Sequence, residues 1–159
     1  MIISFIAAVL IVVIDQLLKL LVVNTIKTSG SVEILGGLVN FQYVENRGMA
    51  FGMLKDCRWL FIIFTVIVVV GVIIYMIKTK PQSKFLLTSL ALILGGGVGN
   101  LIDRIFLGYV VDYIQLSFFS PVCNFADYCI TIGTVLLIIY ILFFSPINEK
   151  DNNKKIKVE

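Results

Sequence analysis

The sequence predicts an all-α membrane protein with four transmembrane helices, a small extracytoplasmic β platform and an interfacial segment between helices 1 and 2. Of the 159 residues, 59% are hydrophobic and 14% are charged, whereas soluble domains are about 45–50% apolar and about 25% charged. The apolar residues fall into four long runs, and a helix needs about 20 such residues to cross a bilayer. The length suits one domain, so we expect a single integral membrane domain over residues 1–159.

Each apolar run predicts one transmembrane helix. The first run has no Lys or Arg ahead of it and no small-residue cleavage site after it. We therefore expect it to remain as a transmembrane helix and not to be cleaved off as a signal peptide. The residues after the fourth run are polar, which is typical of a mobile tail. The predicted helices span about 2–23, 59–77, 85–104 and 125–144, and the tail spans 147–159.

Basic residues in the short connections predict the orientation in the membrane. Lys78, Lys80 and Lys84 lie close together between the second and third runs, and the tail carries further lysines. The basic residues of the opposite side are spread over longer segments, so we expect both termini in the cytoplasm. A cationic inner face suits anionic lipid, and the net charge of +3 gives no sign of nucleic-acid binding.

The segment 24–58 is too polar to cross lipid and too long for a simple turn. In "LVNFQYVEN", Val39, Phe41 and Tyr43 alternate with polar residues, a pattern typical of a half-buried strand. "SVEIL" before it is a candidate hairpin partner. "NRGMAFGMLKDCRW" then predicts a bend followed by the amphipathic segment at the interface.

Charged and amide side chains near the membrane gather at the outer helix ends. An ionisable group at membrane depth costs at least about 2.5–3.5 kcal/mol, so each one is a candidate functional residue. Asp15 and Lys19 have the i, i+4 order that favours an ion pair, although Lys19 reaching the interface and neutralising Asp15 explains them equally well. Asp103 is expected at a solvated helix end. Arg104 follows Asn100 by four residues and shares its helix face.

The glycines of "GGGVGN", at 95–100, favour close packing of helices in lipid. A phosphate-binding loop would need a following Lys and Ser or Thr, which the motif lacks.

Asp112 and Asp127 flank an aromatic, proline-bearing loop in a chain that otherwise avoids charge. Two carboxylates that are close together and partly buried cannot both ionise easily, so one stays protonated while the other is a base. Such a pair can activate water against an amide. A structural interpretation also stands, in which Asp127 caps the fourth helix or pairs with Arg104 while Asp112 belongs to a solvated loop.

The residue types present exclude several kinds of catalytic site. The chain has no histidine, and its three cysteines have no CxxC spacing, so a zinc site is poorly supported. A serine or cysteine nucleophile assisted by histidine is excluded within this chain. Cys57 and Cys123 can meet outside the membrane as a disulfide, but we favour unpaired thiols. We expect no metal and no cofactor.

Five motifs follow one another along the chain: "DQLLK" (15–19), "ENRGMAFG" (45–52), "GNLIDR" (99–104), "VVDYI" (110–114) and "NFAD" (124–127). In order, spacing and four-helix topology they resemble the lipoprotein signal peptidase family, signal peptidase II. The resemblance covers nearly the whole chain up to the tail. Met49 is a departure, because the family usually has alanine there, and methionine is bulkier and more flexible.

The resemblance implies a membrane aspartyl endopeptidase that removes signal peptides from bacterial prolipoproteins, cutting just before a cysteine that carries diacylglycerol. Asp112 and Asp127 would be its catalytic pair. The implied partners are these lipidated substrates and membrane lipid, and the implied location is the bacterial cell membrane, with the site near its outer face. We expect a monomer. The other matching positions would shape or polarise the site: Asp15, Lys19, Asn46, Gly48, Asn100, Arg104 and Asn124.

Two other classes of protein compete with this interpretation. A small proton-coupled transporter would also carry acids within the membrane, but here the acids sit on one side and the two halves show no inverted repeat. A non-catalytic assembly factor would use the glycines for helix packing, but this interpretation assigns no role to Asp15, Asp112 and Asp127.

Overall fold

A computed structural model describes residues 1–48 and 57–144 of the chain. Most of the predicted interfacial segment, including Met49, and the whole predicted tail lie outside the described residues.

Four long helices form the body of the part of the chain that the structure describes, which confirms the predicted helical architecture. Each is long and apolar enough to cross a membrane, because its apolar side chains lower the cost of entering lipid. A short helix, α2, extends the first one, and a π-helical turn at Tyr140–Phe144 extends the last. The helices are α1 (Ile2–Asn24), α2 (Ile26–Ser29), α3 (Arg58–Thr79), α4 (Lys84–Phe106) and α5 (Phe125–Ile139).

Helix α4 is the centre of the bundle and packs against α1, α3 and α5. In its most apolar stretch 61% of the residues are buried, against 11–22% in the other spans. Its glycines permit this contact, as the sequence predicted. A Cβ atom on Gly95 would lie 2.6 Å from Cβ of Ile11, and one on Gly96 would lie 2.5 Å from the carbonyl oxygen of Ala126. Gly133 of α5 approaches α4 just as closely.

A four-stranded antiparallel sheet lies at the end of the bundle where α1 and α4 finish and α5 begins. The predicted hairpin is confirmed, with Val32 opposite Phe41. The predicted loop between the third and fourth helices is wrong in part, because it forms two further strands, and Asp112 pairs with Val44 across the sheet. The strands are β1 (Val32–Ile34), β2 (Val39–Asn46), β3 (Val110–Leu116) and β4 (Phe119–Cys123), in the order β1-β2-β3-β4.

A small apolar cluster fastens the sheet to the helices. Val111 and Tyr113 of β3 are buried against Val22 near the end of α1. The phenol oxygen of Tyr113 also accepts a hydrogen bond from the backbone N–H of Phe125, at 3.3 Å, at the start of α5. Strand β3 is therefore fixed against the ends of two helices, and its polar side chains are positioned with it.

The contact between α4 and α5 leads to a test of packing. We expect Gly96→Ala to lower the free energy of unfolding by about 1–3 kcal/mol, because the added methyl group meets a backbone oxygen that cannot move aside. Gly71→Ala is the matched control, since a Cβ atom there meets nothing within 4 Å. Thermal unfolding in one detergent compares the two variants, and equal stability would contradict the packing argument.

Candidate active site

Asn124 connects Asp112 and Asp127, the candidate catalytic pair predicted from the sequence. Its side-chain amide donates hydrogen bonds to Oδ1 of Asp112, at 2.6 Å, and to Oδ1 of Asn100, at 3.1 Å. Asn124 is also the N-cap of α5, where its Oδ1 accepts from the backbone N–H of Asp127 at 2.9 Å. The carboxylate of Asp127 accepts in return from the Asn124 backbone N–H, at 3.1 Å. Asp112 and Asp127 thus belong to one hydrogen-bond network.

Asp112 lies on β3 with only 1% of its surface exposed, so the solvated-loop interpretation is wrong. Its second oxygen accepts from Nδ2 of Asn46 at 2.7 Å, and Asn46 is held by the backbone N–H of Gly48 at 2.9 Å. Burial raises the pKa of Asp112 to about 7, and the nearby charge of Asp127 adds to the rise, while donation by the two asparagines opposes it. The pair therefore keeps a proton at neutral pH more readily than separate carboxylates would.

Asp127 is less buried than Asp112 and faces two cavities. Its Oδ1 accepts from Nδ2 of Asn100 at 2.7 Å. Oδ1 of Asn100 accepts in turn from Nζ of Lys19, at 2.8 Å, as well as from Asn124. The predicted capping role of Asp127 is confirmed by the reciprocal bonds with Asn124, in which Asp127 is the N3 residue of the capping box.

A buried cluster of charges supports the two aspartates from behind. Nζ of Lys19 lies 2.8 Å from Asp15 and 3.0 Å from Asp103, which confirms the predicted ion pair within α1. Lys19 is only 3% exposed, so its side chain is enclosed by the protein. Asp103 is 2% exposed, and the predicted solvated helix end is therefore wrong. Its Oδ2 accepts from the backbone N–H of Val111 at 3.0 Å, which joins α4 to the strand of Asp112.

Gln16 and Asp103 are members of this cluster that sequence reasoning did not include in the site. Nε2 of Gln16 donates to Oδ1 of Asp103 at 3.0 Å and to the carbonyl oxygen of Gly99 at 3.1 Å. Oδ1 of Asp15 accepts from the backbone N–H of Ala126 at 3.1 Å. The sequence did contain a signal for Gln16, because it lies beside Asp15 in an apolar run. A glutamine within a transmembrane helix needs hydrogen-bond partners, which predicts that it joins a polar cluster.

Arg104 stands at the junction of the two cavities. Its Nη1 donates to the carbonyl oxygen of Asn100 at 3.3 Å, and its guanidinium lies 5.2 Å from the ring centre of Phe61. Within residues 1–48 and 57–144, the ion pairs closer than 4.0 Å do not include Arg104. The predicted direct pairing of Arg104 with Asp127 is therefore wrong, and the guanidinium keeps donors for a bound molecule.

The cavities give the site its shape. One, of about 320 Å³, lies towards the sheet and is lined by Asn46, Gly48 and Arg104 as well as by β4. The other, of about 210 Å³, lies among the apolar side chains of α3, α4 and α5. Phe61, Arg104 and Asp127 line both. Cys123 lines the first as a free thiol, and Cys57 is also free. Both cavities are mainly apolar, and Asp127 belongs to the lining of each.

The end of β2, which carries Asn46, is held by a surface network. The phenol of Tyr43 donates to Oε1 of Glu45 at 3.1 Å and lies 3.3 Å from the phenol oxygen of Tyr109. Lys27 and Arg47 pair with Glu45 at 3.5 Å and 3.4 Å. These contacts lower the pKa of Glu45, chiefly through the bond from Tyr43. The network ties α2, β2 and the start of β3 together beside the candidate site.

Comparison with known proteins identifies relatives over most of this architecture. The family described as signal peptidase (SPase) II matches residues 7–143. The lipoprotein signal peptidase of Halothermothrix orenii is 44% identical over 137 residues, covering 86% of this chain and 93% of that protein. That of Halalkalibacterium halodurans is 39% identical over 158 residues, covering 98% of each. A bacterial membrane enzyme solved by the in meso method at 2.3 Å superposes with a TM-score of 0.81 at 34% identity, covering 87% of each chain. The chain belongs to the signal peptidase II family of membrane proteases.

Proposed function

We propose that this protein is an aspartic endopeptidase that removes the signal peptide from diacylglyceryl-modified bacterial prolipoproteins and cuts just before the lipidated cysteine. The observation that carries the proposal is the network in which Asn124 joins Asp112 to Asp127. Family membership supports the substrate class, since the relatives are lipoprotein signal peptidases.

The proposed reaction uses one proton shared by the two carboxylates. The ionised carboxylate takes a proton from water while the water oxygen attacks the carbonyl carbon of the scissile bond. The protonated carboxyl group gives its proton to the carbonyl oxygen, which yields a neutral tetrahedral intermediate. When the C–N bond breaks, a carboxyl group protonates the leaving nitrogen and the hydroxyl proton returns to the pair. The enzyme ends with one shared proton, and the elements of water have been added to the peptide.

The neighbouring amides fit this role. Asn46 donates to Asp112 and also lines the cavity beside β4, so rotation of its amide would open Asp112 to water in that cavity. Arg104 is available to bind the substrate carbonyl or the developing oxyanion, and such donors matter most where water is scarce. Asn100, Asn124 and Gly48 would hold the acids and Asn46 in position. Asp15 and Lys19 would maintain the charge balance behind them.

The cavities suggest how the substrate lies. The cavity among α3, α4 and α5 lies between the membrane-spanning helices and suits the hydrophobic part of a signal peptide, which is itself membrane-embedded. The cavity beside β4 suits the backbone around the scissile bond, because Asn46 and Arg104 in its lining can bind peptide groups. The peptide would then cross Phe61 and Arg104, with its cleavage point at Asp127.

We also propose that the sheet and the aspartates lie at the extracytoplasmic face and that both termini are cytoplasmic. The lysines between α3 and α4 support this orientation, and exported lipoproteins require their cleavage site near the outer surface. In this proposal the chain acts as one peptidase domain over residues 1–159, as a monomer, without a cofactor and without nucleic acid.

Replacement of either acid tests the catalytic pair. We expect Asp112→Asn and Asp127→Asn each to lower kcat at least roughly 1,000-fold, because an amide can neither take up nor release the proton. Glu33→Gln is the control, since Glu33 is an exposed acid on the edge strand β1 and its variant should cleave like the wild type. Cleavage of a lipidated precursor peptide in detergent is the measurement. Substantial turnover by a folded variant would remove that residue from the pair.

The orientation is tested by single-cysteine labelling in a background without the native cysteines. A cysteine at Gln82, between α3 and α4, or at Asn152 should react only with a reagent on the cytoplasmic side. A cysteine at Ser31, ahead of β1, should react only from outside, because the basic connections are retained in the cytoplasm. Labelling of Ser31 from the cytoplasm would invert the proposed topology.

The pH dependence of cleavage tests the shared proton. Because the pKa of Asp112 is raised to about 7, activity should fall as the pH rises through neutrality and the pair loses its proton, and it should fall again in acid when both carboxyl groups are protonated. Arg104 interacts electrostatically with both acids. Its positive charge favours their ionised forms, so Arg104→Gln should move both limits to higher pH. A raised KM with unmoved limits would leave Arg104 as a substrate contact alone.

A further inference from the structure

A separate cavity of about 470 Å³ lies among α3, α4 and α5 at the end of the bundle remote from the aspartates. Its walls are formed by Gly71, Leu86, Leu90 and Leu137, with Tyr75 and Tyr140 as the residues that bear hydroxyl groups. Gly71 and Tyr75 are exposed on the outer surface of α3, so the cavity opens to the side of the bundle. Sites for small ligands have this size and this mainly apolar lining with a few polar groups.

Cationic side chains follow directly beyond the cavity. Lys78 comes three residues after Tyr75, about 4.5 Å further along the helix axis, and Lys84 comes two residues before Leu86. Lys80 lies in the connection between them, and all three are exposed. Within the described parts of the chain, the ion pairs closer than 4.0 Å include none of these ammonium groups. Three lysines therefore present free positive charge at one end of the cavity.

The helices around this end supply no negative charge to balance the lysines. Residues 1–14, 57–102 and 128–144 contain neither aspartate nor glutamate. All of the ion pairs described above lie at the opposite end of the bundle or on the sheet. An apolar hollow next to lysines that no acid of the described helices balances is complementary to a molecule with a hydrocarbon chain and an anionic head.

We propose that this cavity and Lys78, Lys80 and Lys84 form a binding site for an anionic phospholipid of the surrounding bilayer. One acyl chain occupies the cavity, where it restores the dispersion contacts that an empty apolar hollow lacks. The lipid phosphate accepts hydrogen bonds from the lysines, and Tyr75 and Tyr140 lie at the depth where tyrosine contacts the head group. With the orientation proposed above, the lipid belongs to the cytoplasmic leaflet. The site lies apart from the proposed catalytic residues.

Lipid titration of the delipidated full chain in detergent tests the site, with native mass spectrometry as the readout. Phosphatidylglycerol should bind at one saturable site, and phosphatidylcholine with the same acyl chains should bind at least tenfold more weakly. The triple variant Lys78→Gln, Lys80→Gln, Lys84→Gln should bind phosphatidylglycerol roughly 10- to 100-fold more weakly, since each lysine near a head group adds to the attraction. Its affinity for phosphatidylcholine should not change.

Two further variants separate a defined site from general attraction. Replacement of Lys154, Lys155 and Lys157 by glutamine removes the same charge from the tail and should leave binding unchanged. Gly71→Leu fills the cavity, and because a Cβ atom at Gly71 meets nothing within 4 Å, the variant should fold while losing affinity for both lipids. Thermal unfolding verifies folding, so the result does not depend on protease activity.

Several outcomes would overturn the proposal. Equal binding of the two lipids by the wild type, or an unaffected lysine triple variant, would remove the anionic site. An equal loss in the tail variant would reduce it to general electrostatic attraction. Full binding by Gly71→Leu would show that no acyl chain enters the cavity, and competition by soluble glycerol phosphate would show a site for free phosphate instead of lipid.

Discussion

The side-chain amide of Asn124 connects parts of the protein that are far apart in the sequence. The first turn of a helix has backbone N–H groups without partners, and asparagine at the N-cap satisfies one of them with its oxygen. The NH₂ group of the same amide then remains for other acceptors, and here it reaches Asp112 on β3 and Asn100 on α4. Asn124 is fully buried, so a loss of either partner would leave a polar group unsatisfied at a cost of about 1–3 kcal/mol. One residue therefore both starts α5 and fixes the geometry around the aspartates.

The buried charges behind the aspartates impose a second constraint. Moving ions out of water is costly, and the cost is offset only when every charge has complementary partners. Lys19 meets two carboxylates and the oxygen of Asn100, while those carboxylates also accept backbone N–H groups from Ala126 and Val111. The partners come from α1, α4, α5 and β3. The position of β3 relative to the helices is thus set by hydrogen bonds as well as by apolar packing.

The sequence predicted the helices and the first hairpin because hydropathy and alternation are local properties. It also predicted the pairing of Asp15 with Lys19, which are one helical turn apart. It did not predict that Asp103 would be buried, because its partner Lys19 comes from a distant part of the chain and spacing carries no information about that contact. Strands β3 and β4 were interpreted as a loop, although "YVVDYI" after Gly108 is rich in the β-branched and aromatic residues that favour strands. An aspartate in the middle of that run obscured the pattern.

The spacing of Asp15 and Lys19 within a single helix matters during biosynthesis. Helix α1 leaves the ribosome before α4 and α5, and at that moment Asn100, Asp103 and Ala126, which satisfy its charges in the finished fold, have not yet been made. An aspartate and a lysine one turn apart can neutralise each other inside the emerging segment, so the segment enters the bilayer at lower cost than two isolated charges would. When α4 and α5 insert later, their polar groups form hydrogen bonds and ion pairs with an Asp15–Lys19 pair that already exists. Had the same two charges been placed on different helices, the first would have had to insert with an unpaired ion.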